Sequence, residues 1–204
     1  MIDEGIDEVI RNYFFLRWLR PEDVAWDIAA YVLLSPILRE KNSTVFEIGV
    51  GNGYNSFMLL GGRFDPSFDW YHGVDVSDFW KNRDIYASTA VDVGDYIRVA
   101  PEKRLSGCMD ASEGLIEKAR GLEIAEHYQV GDANSELQFG PVDVIYTNIL
   151  YWLTDPRAVV SNVFALLQPG GRFVCVFPNE LFTHYCRSLS AGHGLVDAGE
   201  SGQG

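Results

Sequence analysis

Two helical patterns open the chain. Over residues 5–20 the apolar positions Ile6, Val9, Ile10, Tyr13, Phe14 and Leu16 recur at helical spacing. Pro21 stops that run and starts another, with Glu22 and Asp23 in its first turn. The second helix is expected to reach about Arg39, with Ala25, Ile28, Ala29, Val32 and Leu33 as its buried stripe. After the polar link KNST (41–44), VFEIG is a continuous apolar, β-prone run that meets glycine. GVGNG follows, and YNSFMLL reads as a short helix ended by Gly61 and Gly62.

The stretch 63–104 is less regular. RFDPSFD reads as a loop, WYHGVDV as a strand, DFWKNRDIYAS as a helix or an irregular aromatic stretch, DYIRVA as a short strand and PEKR as a turn. Regularity then returns. LSGCM is a strand, SEGLIEKARGL a helix with a serine start, and EHYQV and VDVIYTN are strands. DPRAVVSNVFALL is a helix capped by Asp155 with Pro156 in its first turn. QPGG is a turn, RFVCVF a strand and NELFTHYCRSL a last helix; the glycine-rich tail from Ser190 is expected to be mobile. The alternation predicts an α/β fold, a mostly parallel sheet covered by helices on both faces.

Composition narrows the partners. At 204 residues, 47% hydrophobic and 22% charged, the chain suits one globular domain, with room for an insertion. No apolar run approaches the roughly 18 residues of a membrane span, and the acidic start is no secretory signal, so a cytoplasmic location is expected. Cys108, Cys175 and Cys186 lack metal-ligand spacing; Cys108 and Cys175, in strand-like runs, are expected to be buried thiols. No His, Asp or Glu cluster suggests a metal either. The formal net charge of −13, without a basic cluster, argues against nucleic acid as partner.

The strongest local signal is VFEIGVGNGYNS, residues 45–56. Strand, glycine turn and helix put backbone amides where open α/β sheets bind ligands. Gly49, Gly51 and Gly53 give G-x-G-x-G; the last glycine of a dinucleotide fingerprint would fall on Tyr54, and the Gly-Lys-Ser/Thr end of a phosphate loop is absent. With Glu47 two residues before the first glycine, EIGVGNG resembles the first motif of class I S-adenosylmethionine (SAM)-dependent methyltransferases. GCMDASEGLIEKAR resembles that family's second strand, acid and helix. YQVGDANSELQFGPVDVIYTNILYWL resembles its third strand, adenine loop and fourth strand, and ALLQPGGRFVCVFP its late helix, turn and fifth strand. FLRWLRPEDVAW with NILYWL also resembles a bacterial subgroup encoded near glycan and lipid biosynthesis genes.

The resemblance implies a Rossmann-like sheet, SAM as cofactor, and methyl transfer to a small-molecule, lipid or glycan-precursor acceptor. It implies that the Gly49–Gly53 loop lies beside the methionine and ribose portion and that Glu47 holds the methionine amino group or the loop. An acid after the second strand should take the ribose hydroxyls. Asp75 lies 22 residues after Gly53 and Asp110 lies 22 residues before Asp132, so both fit. The helix after Asp110 matches the family better, which favours Asp110 and makes 63–104 an insertion. Ala111 would lie against the adenine, Asp132 and Ala133 would meet its amino group and a ring nitrogen, and Asn148 would face the methyl group. Asn148 is followed by Ile149 and Leu150 rather than prolines, a departure that counts against exocyclic-amine chemistry.

Transfer from a sulfonium needs orientation and exclusion of water, and a base only where the nucleophile must lose a proton. No catalytic residue is identified among His72, His127, His184 and His193; Tyr13 and Tyr151 are expected in the core or lining the substrate side. The aromatics Phe68, Trp70, Tyr71, Phe79, Trp80 and Tyr86 are expected to pack together or to close over substrate. The organisation read here is N-terminal helices on the substrate side (1–40), a cofactor-binding domain (41–190) and a tail (191–204). The two strands that follow the fifth in many members of the family have no counterpart in this reading, which would leave an open sheet edge inviting a homodimer. A non-catalytic SAM- or S-adenosylhomocysteine-binding protein, or an NAD(P)-type oxidoreductase, stays open as an alternative.

Overall fold

Val45–Ile48, strand β1, is buried at all four positions, as a strand in the middle of a covered parallel sheet must be. In the computed structural model, which describes residues 5–16, 22–69, 92–135, 137–150 and 153–176, β1 runs parallel to β4 (Gly107–Asp110) on one side and to β6 (Val142–Thr147) on the other. Strand β5 (Tyr128–Val130) continues beyond β4, and β7 (Leu167–Cys175) beyond β6, giving the order β5-β4-β1-β6-β7. This is the expected Rossmann-like, parallel arrangement. The order reverses between β1 and β6, and ligands enter doubly wound sheets at such a switch point.

Helices α1 (Ile6–Leu16), α2 (Glu22–Leu38), α3 (Tyr54–Leu59) and α4 (Glu113–Gly121) share a core with Val45, Cys108, Val144 and Tyr146. Helix α5 (Pro156–Leu166) covers the opposite face with Phe46, Ile48, Met109 and Ile145. Strand alternation thus feeds two layers. Ser112 caps α4 by accepting from the Leu115 amide, and Asp155 caps α5 by accepting from the Arg157 and Ala158 amides. At the entry to β1, Asp143 Oδ2 accepts from both the amide and the hydroxyl of Thr44, at 2.8 Å each, which fixes the β1–β6 register.

Between α3 and β4, the short strand β2 (Arg63–Phe64) pairs antiparallel with β3 (Ile97–Val99). RFDPSFD therefore begins as strand rather than loop. DYIRVA is strand only from Ile97, because the Asp92 side chain accepts from Gly94 and winds Val93–Tyr96 into a 3₁₀ turn. Phe68 is buried against Tyr54, Phe64 and Tyr96. The other five aromatics of that cluster, the WYHGVDV and DFWKNRDIYAS segments, the NELFTHYCRSL helix and the tail lie outside the described residues.

The structure corrects several side-chain expectations. On α2 the buried positions are Val24, Ala30, Leu34 and Leu38, together with polar Asp27 and Ser35; Val32 and Leu33 are 54% and 68% exposed, Ala25 and Ala29 are exposed, and Ile28 is half-buried. This helix is apolar nearly all round, so periodicity offered no contrast, and packing against α1 and α3 chose the face. Ser35 turns inward because its hydroxyl donates to the Leu59 carbonyl at 2.7 Å. On α1, Phe14 is exposed while Asn12 is buried, its Oδ1 accepting the Phe64 amide that β2 would otherwise leave unpaired. Cys175 is exposed because β7 is the outer strand of the described sheet. The QPGG turn is absorbed into β7 as a bulge: Val142 and Val144 pair with Leu167 and Arg172, so the intervening residues loop out, with Gly170 at φ +85°.

Leu34→Ala should cost about 2–5 kcal/mol of unfolding free energy, and Leu33→Ala within about 0.5 kcal/mol. Urea unfolding of the two variants measures both, and equal losses would contradict the face assigned to α2.

Candidate functional site at the glycine turn

Three strand ends converge on the turn after β1. The Gly49 and Val50 amides both donate to the Met109 carbonyl of β4, at 2.8 and 3.0 Å. The Gly51 amide donates to Asp110 Oδ2 at 3.0 Å, and Asp110 Oδ1 accepts from Ser112 at 3.0 Å. From the other side, the Thr147 hydroxyl at the end of β6 donates to the Ile48 carbonyl at 2.9 Å and accepts from the Ile149 amide. The turn is thus tied to both neighbouring strands.

All three glycines have positive φ, which a side chain would strain, but they do different work. A Cβ on Gly49 would lie 2.2 Å from the Ile149 side chain, and one on Gly53 would lie 3.0 Å from the Ala119 backbone and 2.8 Å from Ile124. The first and third glycines therefore exist for protein packing. A Cβ on Gly51 would meet nothing within 4 Å among the described residues. The middle glycine faces open space, and its neighbour there is the half-buried Asp110 carboxylate.

Glu47 lies beneath the turn, 1% exposed, with both carboxylate oxygens on the single Ser56 hydroxyl of α3, at 2.7 and 2.6 Å. Burial pushes its acid up to about 8; the Ser56 hydroxyl opposes this, and the Asp110 charge adds to it. Asn148, just past β6, has a buried Oδ1 with no hydrogen-bond partner among the described residues. Glu47, Asp110 and Asn148 thus offer acceptor oxygens around the switch point. That donor-poor set fits a cationic ligand carrying hydroxyl donors.

The remaining expected site residues fall nearby. Ala111 is exposed next to Asp110. Asp132 is exposed at the end of the β5 turn, where its Oδ1 accepts from the amide and side chain of Asn134, at 2.9 and 2.7 Å. Ala133 is buried in the α5-side core. Asp75 and Tyr151 lie outside the described residues. Tyr13 is buried, its hydroxyl donating to Asn55 at 3.1 Å, and His127 is exposed before β5 beside Phe139. A cavity of about 1030 Å³ lies elsewhere, against β5 and the Leu137–Gly140 segment; His127 lines it, and none of the expected cofactor-binding residues does. Sequence reading passed over Ser56, Thr147 and Ile149 as site residues. Their roles depend on partners 9, 99 and 100 positions away, a separation that carries no local signal.

A parallel sheet with a glycine turn at its switch point and an acid at the end of the adjacent strand make up a Rossmann-like domain. Residues 96–175 match the family described as "Methyltransferase domain". The chain is similar to this family over that stretch, and the glycine turn at 49–53 precedes it. It is 36% identical over 104 residues to a malonyl-[acyl-carrier protein] O-methyltransferase from Hahella chejuensis, covering 48% of this chain and 36% of that protein. A demethylmenaquinone methyltransferase from Symbiobacterium thermophilum is 31% identical over 104 residues, covering 46% of this chain and 40% of its own length. The matches thus span well under half of these curated relatives. A solved SAM-dependent methyltransferase from Thiobacillus denitrificans, in complex with S-adenosyl-L-homocysteine, superposes with a TM-score of 0.45 at 16% identity, covering 92% of this chain and 63% of that one.

Two predictions follow from the geometry. Gly51→Ala should cost only the left-handed backbone strain, about 1–2 kcal/mol, while Gly53→Ala adds about 1–3 kcal/mol of overlap with α4; thermal melts of the pair should rank Gly53→Ala lower. Glu47 has a folded-state pKa above its unfolded one, so the folded chain holds the extra proton. Its contribution to stability is full below about pH 4.5, the ordinary value, and is lost as pH rises through about 8. Relative to wild type, Glu47→Gln should gain melting temperature steadily across that window, and a pH-independent difference would show that Glu47 is ionised throughout.

Proposed function

We propose that this chain binds SAM at the Gly49–Gly53 turn and transfers its methyl group to a small-molecule, lipid or glycan-precursor acceptor. The observation that carries this reading is the open face of Gly51, bordered by the Asp110 carboxylate, with buried acid beneath and the unpartnered Asn148 oxygen across the switch point. In this reading Asp110 takes the ribose hydroxyls, since β4 is the strand beside β1 and its acid already orients the Gly51 amide. Ala111 lies against the adenine, with Asp132 and Ala133 at its edge. Glu47 supplies negative charge beneath the methionine end, and Asn148 faces the acceptor. When bound, the sulfonium supplies an activated methyl group, and the residues of the turn hold it in line and keep water out.

The relatives' names point to different acceptors, a carrier-bound malonyl group in one and demethylmenaquinone in another, so they support methylation without choosing a substrate. Among the described residues no helix is long and apolar enough to cross a membrane. A cytoplasmic location, a substrate-side position for α1 and α2, and a homodimer through the outer edge of β7 belong to the same proposal. A monomeric mass by light scattering would remove the last of these.

Calorimetry with SAM and S-adenosylhomocysteine should show binding, and NAD should show none. Asp110→Ala should weaken SAM about 10- to 100-fold, the loss of hydrogen bonds to a charged group, and Asp75→Ala should weaken it less. The reverse order would move the ribose site to Asp75. Labelled-methyl transfer to small-molecule, lipid and glycan-precursor extracts tests catalysis; binding without transfer would leave a nucleoside-binding protein.

A further inference from the structure

The turn sits on an acid that lacks what an ionised carboxylate needs. Both oxygens of Glu47 contact one hydroxyl, Ser56, which has a single proton to give. Among the described residues the charge acting on Glu47 is that of Asp110, while Arg120 of α4 acts on the neighbouring Cys108. Strand β4 presents Cys108, its register partner, and Asp110, a second acid. Strand β6 presents Tyr146 at the paired position, and α3 presents Ser56 and the buried Tyr54, whose phenol is held neutral by burial. Asp110 repels a second negative charge, and burial removes the water that would solvate one. Burial, the neighbouring Asp110 charge and a single hydroxyl partner therefore all favour the neutral acid at Glu47.

The geometry points to Glu47 as a specificity-determining residue for ligand charge: it becomes a carboxylate only when the ligand brings a cation to the turn, and uptake then expels its proton to solvent. The inference rests on the SAM-site reading and deepens it. A nucleoside with a charged amino-acid end supplies the counter-ion that converts the buried acid into a charge-assisted partner. A neutral nucleoside of the same shape leaves the acid protonated and forgoes that attraction. The site thereby selects for charge at a position the solvent does not reach. As a positioning residue, Glu47 acts on the ligand's charged end and on the turn through Ser56, not on the transferred methyl.

The test is proton counting by calorimetry at pH 7, in phosphate and in Tris, whose ionisation enthalpies differ. The probes are S-adenosylhomocysteine and 5′-methylthioadenosine, which lacks the amino-acid cation. Wild-type protein should release up to about one proton with S-adenosylhomocysteine, and its affinity should rise by up to about tenfold per pH unit between pH 6 and 7.5. Methylthioadenosine should bind more weakly, with no proton released. Glu47→Gln, which keeps the shape of the side chain, should bind S-adenosylhomocysteine without release and with a flatter pH dependence. Because the ligand's own α-ammonium titrates on the alkaline side of neutrality, the variant supplies the subtraction; if it does not fold, the wild-type contrast between the two probes decides. Binding with no proton release, or equal release by both probes or by both proteins, overturns this inference and leaves the SAM site standing. Absence of S-adenosylhomocysteine binding removes the SAM site and this inference with it.

Discussion

One carbonyl anchors the site. Met109 ends the buried run of β4, and its oxygen accepts two successive amides from the turn after β1. That bifurcated hold forces the chain to turn tightly over the strand ends, which only positive-φ residues at 49, 51 and 53 allow. It also sets the next residue, Asp110, beside the Gly51 amide. The position of Asp110, the open face of Gly51 and the burial of Glu47 all depend on β1 and β4 lying parallel in this register.

The site is electrostatically incomplete by construction. Two acids lie on adjacent strands, one fully buried beneath the turn, and the charged group acting on Glu47 is of its own sign. Proteins pair or neutralise buried charge because desolvation costs more than a distant counter-ion returns. Here the buried acid is held by a lone hydroxyl. The proposed cationic nucleoside would make good that shortfall of donors.

The three glycines show how a motif divides its labour. Read along the chain they are equivalent, G-x-G-x-G. In space Gly49 yields to Ile149 from beyond β6, Gly53 yields to α4, and only Gly51 faces outward. The packing glycines place the turn, and the exposed one presents it. The same division appears on α2, where an almost uniformly apolar helix spends one face on α1 and α3 and leaves Val32 and Leu33 outside.

The alternation of strands and helices, the caps at Ser112 and Asp155 and the glycine turn were legible in the chain, because each depends on neighbours within a few residues. Glu47 was marked by its distance from the turn, whereas spacing alone left Asp75 and Asp110 both open and only the helix after Asp110 favoured it. What tertiary structure alone decided were the contacts that span the chain: which face of α2 is buried, why Asn12 and Ser35 point inward, and that Cys175 lies outside. It also decided that Glu47 answers to Ser56 and that Thr147 braces Ile48. Local periodicity sets which conformation a segment takes. Burial and partner choice are settled only when distant segments meet and exclude water, and the chemistry of this site is written at that level.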